Sequence, residues 1–278
     1  MFESIKTALQ KNSQSGSYKD ILRLEVGNTY TVRLLPNVKD PAKTFFHYYS
    51  VGWTSHSTGQ YISYVSPSTF GERDPVLETK YRILRNDDSS EDLKKKASSI
   101  LRAEKWLVNA YVVKDPTNQD NEGKVSILRY GKQLHKIIMD AIEGEGADDY
   151  GSRIFDLSPN GCNFIIKAEK QGDYPTYVSS KFSMPKAVEG LDEEGYDAIY
   201  NSTNDLTSIL PVKSFDEIQS LLEEHFSGEG VEVSSHKKES VTTIKPVSVK
   251  SAVSTINNSE DDIDTSKVNE LLEGLDDL

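Results

Sequence analysis

From Leu22 onward, apolar and polar residues alternate in short runs with a period of two, the pattern of strands with one buried face. Thr29–Leu35 is the first such run and stops at Pro36, whose missing N–H suits a strand end. Thr44–Trp53 predicts a second, strongly aromatic strand and Gln60–Val65 a third, with Ser57–Gly59 in the turn between them. The clearest strand is Trp106–Val113. It is followed by a turn over Lys114–Gly123 and a return strand over Lys124–Tyr130, which together read as a hairpin with a long loop. Cys162–Ala168 is expected to pair with Thr176–Phe182 across a turn holding Gly172 and Pro175.

Helical spacing interrupts this series at few places. Gly131 opens a helix over Lys132–Glu143 that puts Leu134, Ile137, Ile138 and Ala141 on one face. Ser90 is placed to cap a charged helix with acids early and lysines late. Ser214 and Glu217 form a capping box for a helix running to about Phe226. The rest of 66–105 reads as loops, and 189–205 as an acidic segment of low hydrophobicity. The fold class expected is mainly β with added helices (α+β): a small closed barrel of the oligonucleotide-binding (OB) kind over residues 21–230, with an insertion near 45–100. Residues 1–20 read as an arm with Phe2, Ile5 and Leu9 on one face, tinted basic by Lys6, Lys11 and Lys19. Residues 231–259 carry no core-forming period and read as a linker.

Charge changes the picture more than composition does. The chain has 278 residues, 36% of them hydrophobic, and a net charge of -12. Residues 260–278 hold eight acids, Asp264 among them, against Lys267 alone, so the body is only mildly acidic. Within that tail Val268, Leu271, Leu272 and Leu275 recur at helical spacing, the pattern of a segment that folds onto a partner. The single cysteine, Cys162, excludes an internal disulfide and any site built on several thiolates. Met1–Gly16 lacks the apolar stretch of a signal peptide, and no run reaches the ~18–20 apolar residues of a membrane span. A soluble, cytosolic protein is expected. The five histidines are scattered and Gly131-Lys132 lacks the rest of a phosphate loop, so neither an enzyme, nor a cofactor, nor a metal site is expected.

The informative constellation is aromatic residues interleaved with bases. Single strands of nucleic acid bind where a positive groove follows the phosphates and exposed rings stack on bases. The candidates are Arg102, Lys105, Trp106 and Tyr111, then Lys124, Arg129, Tyr130 and Lys132, then Tyr174, Tyr177 and Lys181. The competing account is packing, because strands favour aromatics whether or not anything binds them. An adaptor that uses its barrel and tail to recruit proteins, without nucleic acid, is the alternative from another class.

The stretch Asn109–Val125, with its Val-Val-Lys-Asp-Pro and Asn-Glu-Gly-Lys-Val strings, resembles the core of the gene 32 single-stranded DNA-binding proteins of T-even-like bacteriophages. Arg129–Lys132 and Gly161–Lys167 extend the resemblance, which runs from Val32–Pro36 to Lys181-Phe182. It implies an OB-fold core that coats single strands cooperatively in replication, recombination and repair inside the infected host cell. It further implies an arm, here with Lys6 and Lys11, that contacts the neighbouring copy, and an acidic tail that recruits replication and recombination proteins. The positions matching the family's DNA cleft are Trp106, Arg129, Tyr130, Tyr174 and Tyr177, with Lys132 and Lys181 beside them. Two departures stand out. The family's best-known members hold zinc through one His and three Cys, where this chain has Val51, Val65, Asp74 and Leu77, so zinc is expected to be absent and Tyr48, Trp53, Tyr61 and Tyr64 to hold the segment by packing. The family's Lys/Arg-then-Ser/Thr motif survives only as Ser4–Thr7 and, displaced upstream, as Lys94–Ser99.

Overall fold

The computed structural model describes residues 21–226, so the arm at 1–20, the linker at 231–259 and the acidic tail all lie outside the described residues. The described chain is a mostly antiparallel β-sheet curled into a half-barrel, with five α-helices added. Its strands are β1 (Asn28–Leu35), β2 (Phe45–Thr54), β3 (Tyr61–Val65), β4 (Leu101–Lys114), β5 (Val125–Tyr130), β6 (Phe164–Gln171), β7 (Tyr174–Thr176) and β8 (Lys181–Phe182). The helices are α1 (Pro75–Arg85), α2 (Glu91–Ser98), α3 (Lys132–Glu143), α4 (Glu193–Asn201) and α5 (Phe215–His225).

β4 organises the sheet. Along one side it pairs with β2 through Leu101–Val108 and then with β1 through Asn109–Lys114. Along the other it pairs with β5 through Trp106–Tyr111. β1 also pairs with β6, and β6 carries both β7 and β8. Two separate cores form on the same face of this sheet. Trp106, Val108, Ala110 and Val112 point into the barrel core with Tyr30, Val32, Leu34, Leu128, Phe164 and the apolar stripe of α3. Val51, Trp53 and Tyr64, further out on β2 and β3, point into a second core built from α1, α2 and α5.

The expected elements are present with three corrections. β4 begins five residues earlier than expected, at Leu101. The return strand expected over Thr176–Phe182 is two short strands, split by a turn in which the Ser180 N–H donates to the Tyr177 carbonyl. Two helices replace stretches expected to be irregular: α1, started by the N-cap Asp74 and by Pro75 at its first position, and α4 within the acidic segment. The capping box of Ser214 and Glu217 and the cap of α2 by Ser90 form as expected.

At the positions where the family's metal ligands would fall, the residues do not suit zinc. Val51 and Leu77 are buried in the helical core and Val65 packs against Leu107 and Leu210 nearby. Asp74 is buried and spoken for: Oδ1 accepts from the Tyr64 hydroxyl at 2.8 Å and from the N–H groups of Val76 and Leu77, while Oδ2 accepts from the Ser66 hydroxyl at 2.6 Å. A lone carboxylate among valine and leucine side chains cannot make the closed set of N and S ligands that structural zinc needs. Of the four residues expected to hold this segment by packing, Trp53 and Tyr64 do so. Tyr48 joins a different cluster, and Tyr61 is 62% exposed.

Asp74 therefore ties β3 to α1 with hydrogen bonds where a metal would otherwise crosslink them. Asp74→Ala removes a helix cap and strands the buried Tyr64 hydroxyl, while the Ser66 hydroxyl keeps Ser68, so a loss of about 3 kcal/mol is expected from the lost cap and the unmet partner. Thermal melting should show a clear drop for that variant, whereas treating the unaltered protein with a chelator should leave its melting temperature unchanged.

Candidate nucleic-acid interface

Between the two cores the sheet is left uncovered. On β2 and β4 this gap holds His47, Tyr49, Arg102 and Glu104, flanked by Trp106 on the barrel side. Side chains two apart on a strand share a face, and directly paired residues share it too, so these five form one surface. Their rings make a continuous ladder. The Arg102 guanidinium lies 3.5 Å over the Tyr49 ring, Tyr49 meets His47 edge-on at 4.8 Å, and His47 leans on Trp106 at 4.9 Å. Trp106 then stacks flat on His135 of α3, with centroids 3.9 Å apart and planes 8° off parallel.

The barrel-side end of this gap deepens into a cavity of about 980 Å³, lined by Trp106, His135, Tyr150 and Phe182 and rimmed by Lys132, Lys136 and Lys181. Glu104, Asp140 and Glu143 also line it, so its rim carries both signs. Lys132 and Lys136 share a face of α3 because they are one turn apart. Lys181 reaches the same rim from β8, which β6 holds in register through Phe164–Phe182 and Ile165–Lys181.

The residues expected to bind nucleic acid are thus sorted by the fold. Arg102, Trp106, Lys132 and Lys181 converge on the gap. Lys105 and Arg129 lie together on the opposite face of β4, since Lys105 neighbours Trp106 in sequence and Arg129 is paired with Leu107. Lys124 is exposed at the far end of the β4–β5 hairpin, and Tyr174 is half-buried on β7.

Three rings depart from the expectation that they face a ligand. Tyr130 and Tyr177 are each 2% exposed and belong to the barrel core, and Tyr111, at 7%, packs with Leu35, Leu157 and Val188. Tyr177 is further fixed where Gln133 accepts its N–H at 2.8 Å. Burial pushes the Tyr130 hydroxyl far above the ordinary tyrosine range. Of the three, Tyr130 stacks behind Trp106 at 6.1 Å and so backs the ladder from within the barrel core. Trp106 itself is only 9% exposed, so the openly presented partners are His47 and the Arg102–Tyr49 pair.

His47, Tyr49, His135 and Lys136 were not among the expected site residues. The signal for the first two lay in strand parity: 47, 49, 102, 104 and 106 share one face once β2 and β4 are paired. His135 and Lys136 follow Lys132 by one helical turn, so a basic first turn on α3 was the available signal for them.

Residues 27–226 match the family described as gp32 DNA binding protein like, and the chain belongs to that family. Two relatives are the single-stranded DNA-binding proteins of Enterobacteria phages T4 and T2. The first is 30% identical over 195 residues, 67% of this chain and 62% of the T4 protein; the second is 29% identical over 225 residues, 77% of this chain and 72% of the T2 protein. The chain thus spans less than two thirds of the T4 protein's length. Among the described residues no group of three or more His, Cys, Asp or Glu is placed to hold a metal ion, and no helix is long and apolar enough to cross a membrane.

His135 gives the ladder a pH dependence. Burial, and then the neighbouring His47, lower its pKa below the usual histidine value, and its Nδ1 is buried without a partner. The unfolded chain therefore takes up a proton at this residue at higher pH than the folded one does. Stability contributed here is present above the unfolded value near 6.5 and falls as pH drops below it. Melting temperature should decline from pH 7 to pH 5, and His135→Phe, which keeps an aromatic stack, should flatten that decline. An unchanged slope in the variant would locate the acid sensitivity elsewhere.

Proposed function

We propose that this protein binds single-stranded DNA without altering it, in the gap between its two cores. The observation that carries the proposal is the ladder of Arg102, Tyr49, His47 and Trp106 with Lys132, Lys136 and Lys181 along its rim. Rings at the spacing of a strand, beside cations that can meet phosphates, suit unstacked bases and offer no element for reading a duplex groove. Membership of a gp32-like DNA-binding family and the single-stranded DNA-binding function named for the T4 and T2 relatives support the same reading. So does the chain order. A five-stranded barrel of OB type would use β1, β4 and β5, then α3, then β6 with the β7–β8 segment, leaving residues 41–100 as an insertion between its first two strands.

The wider role we assign is cooperative coating of single strands during phage replication, recombination and repair, inside the infected cell. Residues 1–20, with Lys6 and Lys11, would contact the next copy. Residues 260–278 would compete with DNA for the cations through their acids and recruit partner proteins through Val268, Leu271, Leu272 and Leu275.

Two measurements test this. A fluorescent poly-pyrimidine strand should bind far more tightly than a duplex of the same length, and log K should fall linearly with log salt as counterions are released. Equal affinity for duplex, or a flat salt response, would remove single-strand binding from consideration and favour a protein-recruiting role. Deleting residues 260–278 should raise affinity most at low salt, because screening shortens the reach of the tail's charges. Identical affinities for the full and truncated chains at low salt would confine the tail to partner recruitment.

A further inference from the structure

The ladder holds two of the chain's five histidines, and both touch one indole from different elements. His47 on β2 meets the Trp106 ring at 4.9 Å with planes 31° apart, and His135 on α3 lies on it at 3.9 Å, 8° off parallel. Trp106 is 9% exposed and Tyr130 stacks behind it, so little of the indole is left for a base. It serves instead as a mount for the two imidazoles. The face of an indole is the best aromatic support for a cation, and a protonated imidazole stacked on it is such a cation.

In the protein alone, charging His135 is opposed. Its Nδ1 is buried without a partner, so a proton there would make an N–H with no acceptor. Burial and then the charge of His47 hold its pKa down, while Glu104 on β4 acts the other way. Tyr130 on β5, 6.1 Å from the imidazole, is kept neutral by burial. The cavity that His135 lines adds Lys132, Lys136, Asp140 and Glu143 from its own helix and Lys181 from β8. With Glu104 included, the fixed charges there are three of each sign and nearly cancel.

A phosphate changes this balance. An anion within about 4–6 Å of an imidazole favours its protonated form, and each ring has a way to receive one. His47 is exposed on the open sheet. His135 lies between Lys132 and Lys136, the two cations of α3 that line the cavity with it and can draw a strand's backbone to it. Protonation then adds positive charge where the acids of the rim temper attraction, and it strengthens the stack on Trp106. The Arg102–Tyr49 pair, further along the sheet, stays open for bases.

We infer that His47 and His135 form a phosphate clamp completed by protonation: the backbone of a single strand in the gap passes beside both imidazoles, and the complex takes up a proton there that the free protein does not hold at neutral pH. This rests on the single-strand reading above and deepens it, because it assigns the two histidines to phosphate and leaves stacking to the open Arg102–Tyr49 pair. The complex holds more protons than the free protein, so affinity for the strand rises as pH falls. The stability of the free protein runs the opposite way, since there the same proton has no anion to meet.

Titrating the full chain with a labelled oligothymidylate of about 12 nucleotides, at about pH 8, 7 and 6 and several salt concentrations, tests the clamp within the span that one OB-type site covers. Between the highest and lowest pH, affinity at fixed salt should rise about tenfold. The slope of log K against log salt should steepen by about 0.7, the value of one further phosphate contact on a single strand. His135→Phe, which keeps a ring on Trp106, should remove most of both changes. His47→Gln should leave a smaller rise that begins at higher pH, because the like charge opposing protonation of His135 is gone. The double variant should show neither change. Melting curves at each pH would confirm folding, and the exposed His47 gives a variant that survives even if His135→Phe does not. If the rise and the steeper slope persist in the variants, the proton is taken up elsewhere and the clamp is wrong. If the unaltered protein shows neither change yet prefers the strand to a duplex, the clamp is wrong and the ladder stands. If no preference for the strand appears at any pH, the single-strand reading fails and takes the clamp with it.

Discussion

The structure depends on one strand serving two cores. β4 is 14 residues long and pairs with β2, β1 and β5, so its register fixes the relative placement of the barrel and of the insertion. A strand of that length spans roughly 45–50 Å at ~3.4 Å per residue, enough to emerge from one core, cross a gap and enter the neighbourhood of another. Because side chains alternate faces, slipping this register by one residue would exchange Trp106 with Lys105 and put a lysine into the barrel core. The burial of Trp106, Val108, Ala110 and Val112 therefore also aims Arg102 and Glu104 into the gap.

Buried polar groups hold the loops around that frame. Arg33 on β1 is fully buried, and its guanidinium donates to the Asn163 side chain at 2.6 Å, to the carbonyls of Asp156 and Ser158 at 2.6 and 2.8 Å, and to the Lys186 carbonyl. Burial lowers its pKa and the charge of Asp156 opposes that, yet a guanidinium starts so high that it keeps its proton. The site is packed closely enough that a methyl group at Gly161 would collide with both the Asp156 carbonyl and Arg33. Arg33 and Asp74 thus do comparable work at opposite ends: each gathers several partners that would otherwise be unmet, one for the barrel's loops and one for the insertion. Removing either side chain leaves those partners buried and unpaired, which is costlier than never having buried them.

Where a residue pattern reported burial, the sequence was legible. The alternation that predicts β1, β2, β3 and the later half of β4, and the stripe that predicts α3, are direct consequences of one face meeting a core. The first five residues of β4 carry no such signal, because one face looks into the gap and the other, with Leu101, Ala103 and Lys105, lines a separate cavity rather than a core. α1 was written as Asp74-Pro75, a cap followed by the residue best suited to a first helical position, but its apolar face has to be matched to a core assembled from distant α5. The aromatic residues show the limit most clearly. Tyr61 and Tyr177 both sit near turns among polar neighbours, and only the packing separates a ring seated on Gly52 from one buried against α3.

The acidic total charge is compatible with the proposed interface because charge acts locally. At physiological salt an exposed charge is felt over about 8 Å, so a phosphate at the proposed interface would meet Lys132, Lys136 and Lys181 and hardly sense acids on the far side of the molecule. The same rim holds Glu104, Asp140 and Glu143, so attraction for phosphate is tempered there and the rings must contribute more. A ring-lined gap with a mixed rim would divide the proposed recognition of a strand between flat bases and charged backbone, which is compatible with a net charge of the same sign as the ligand.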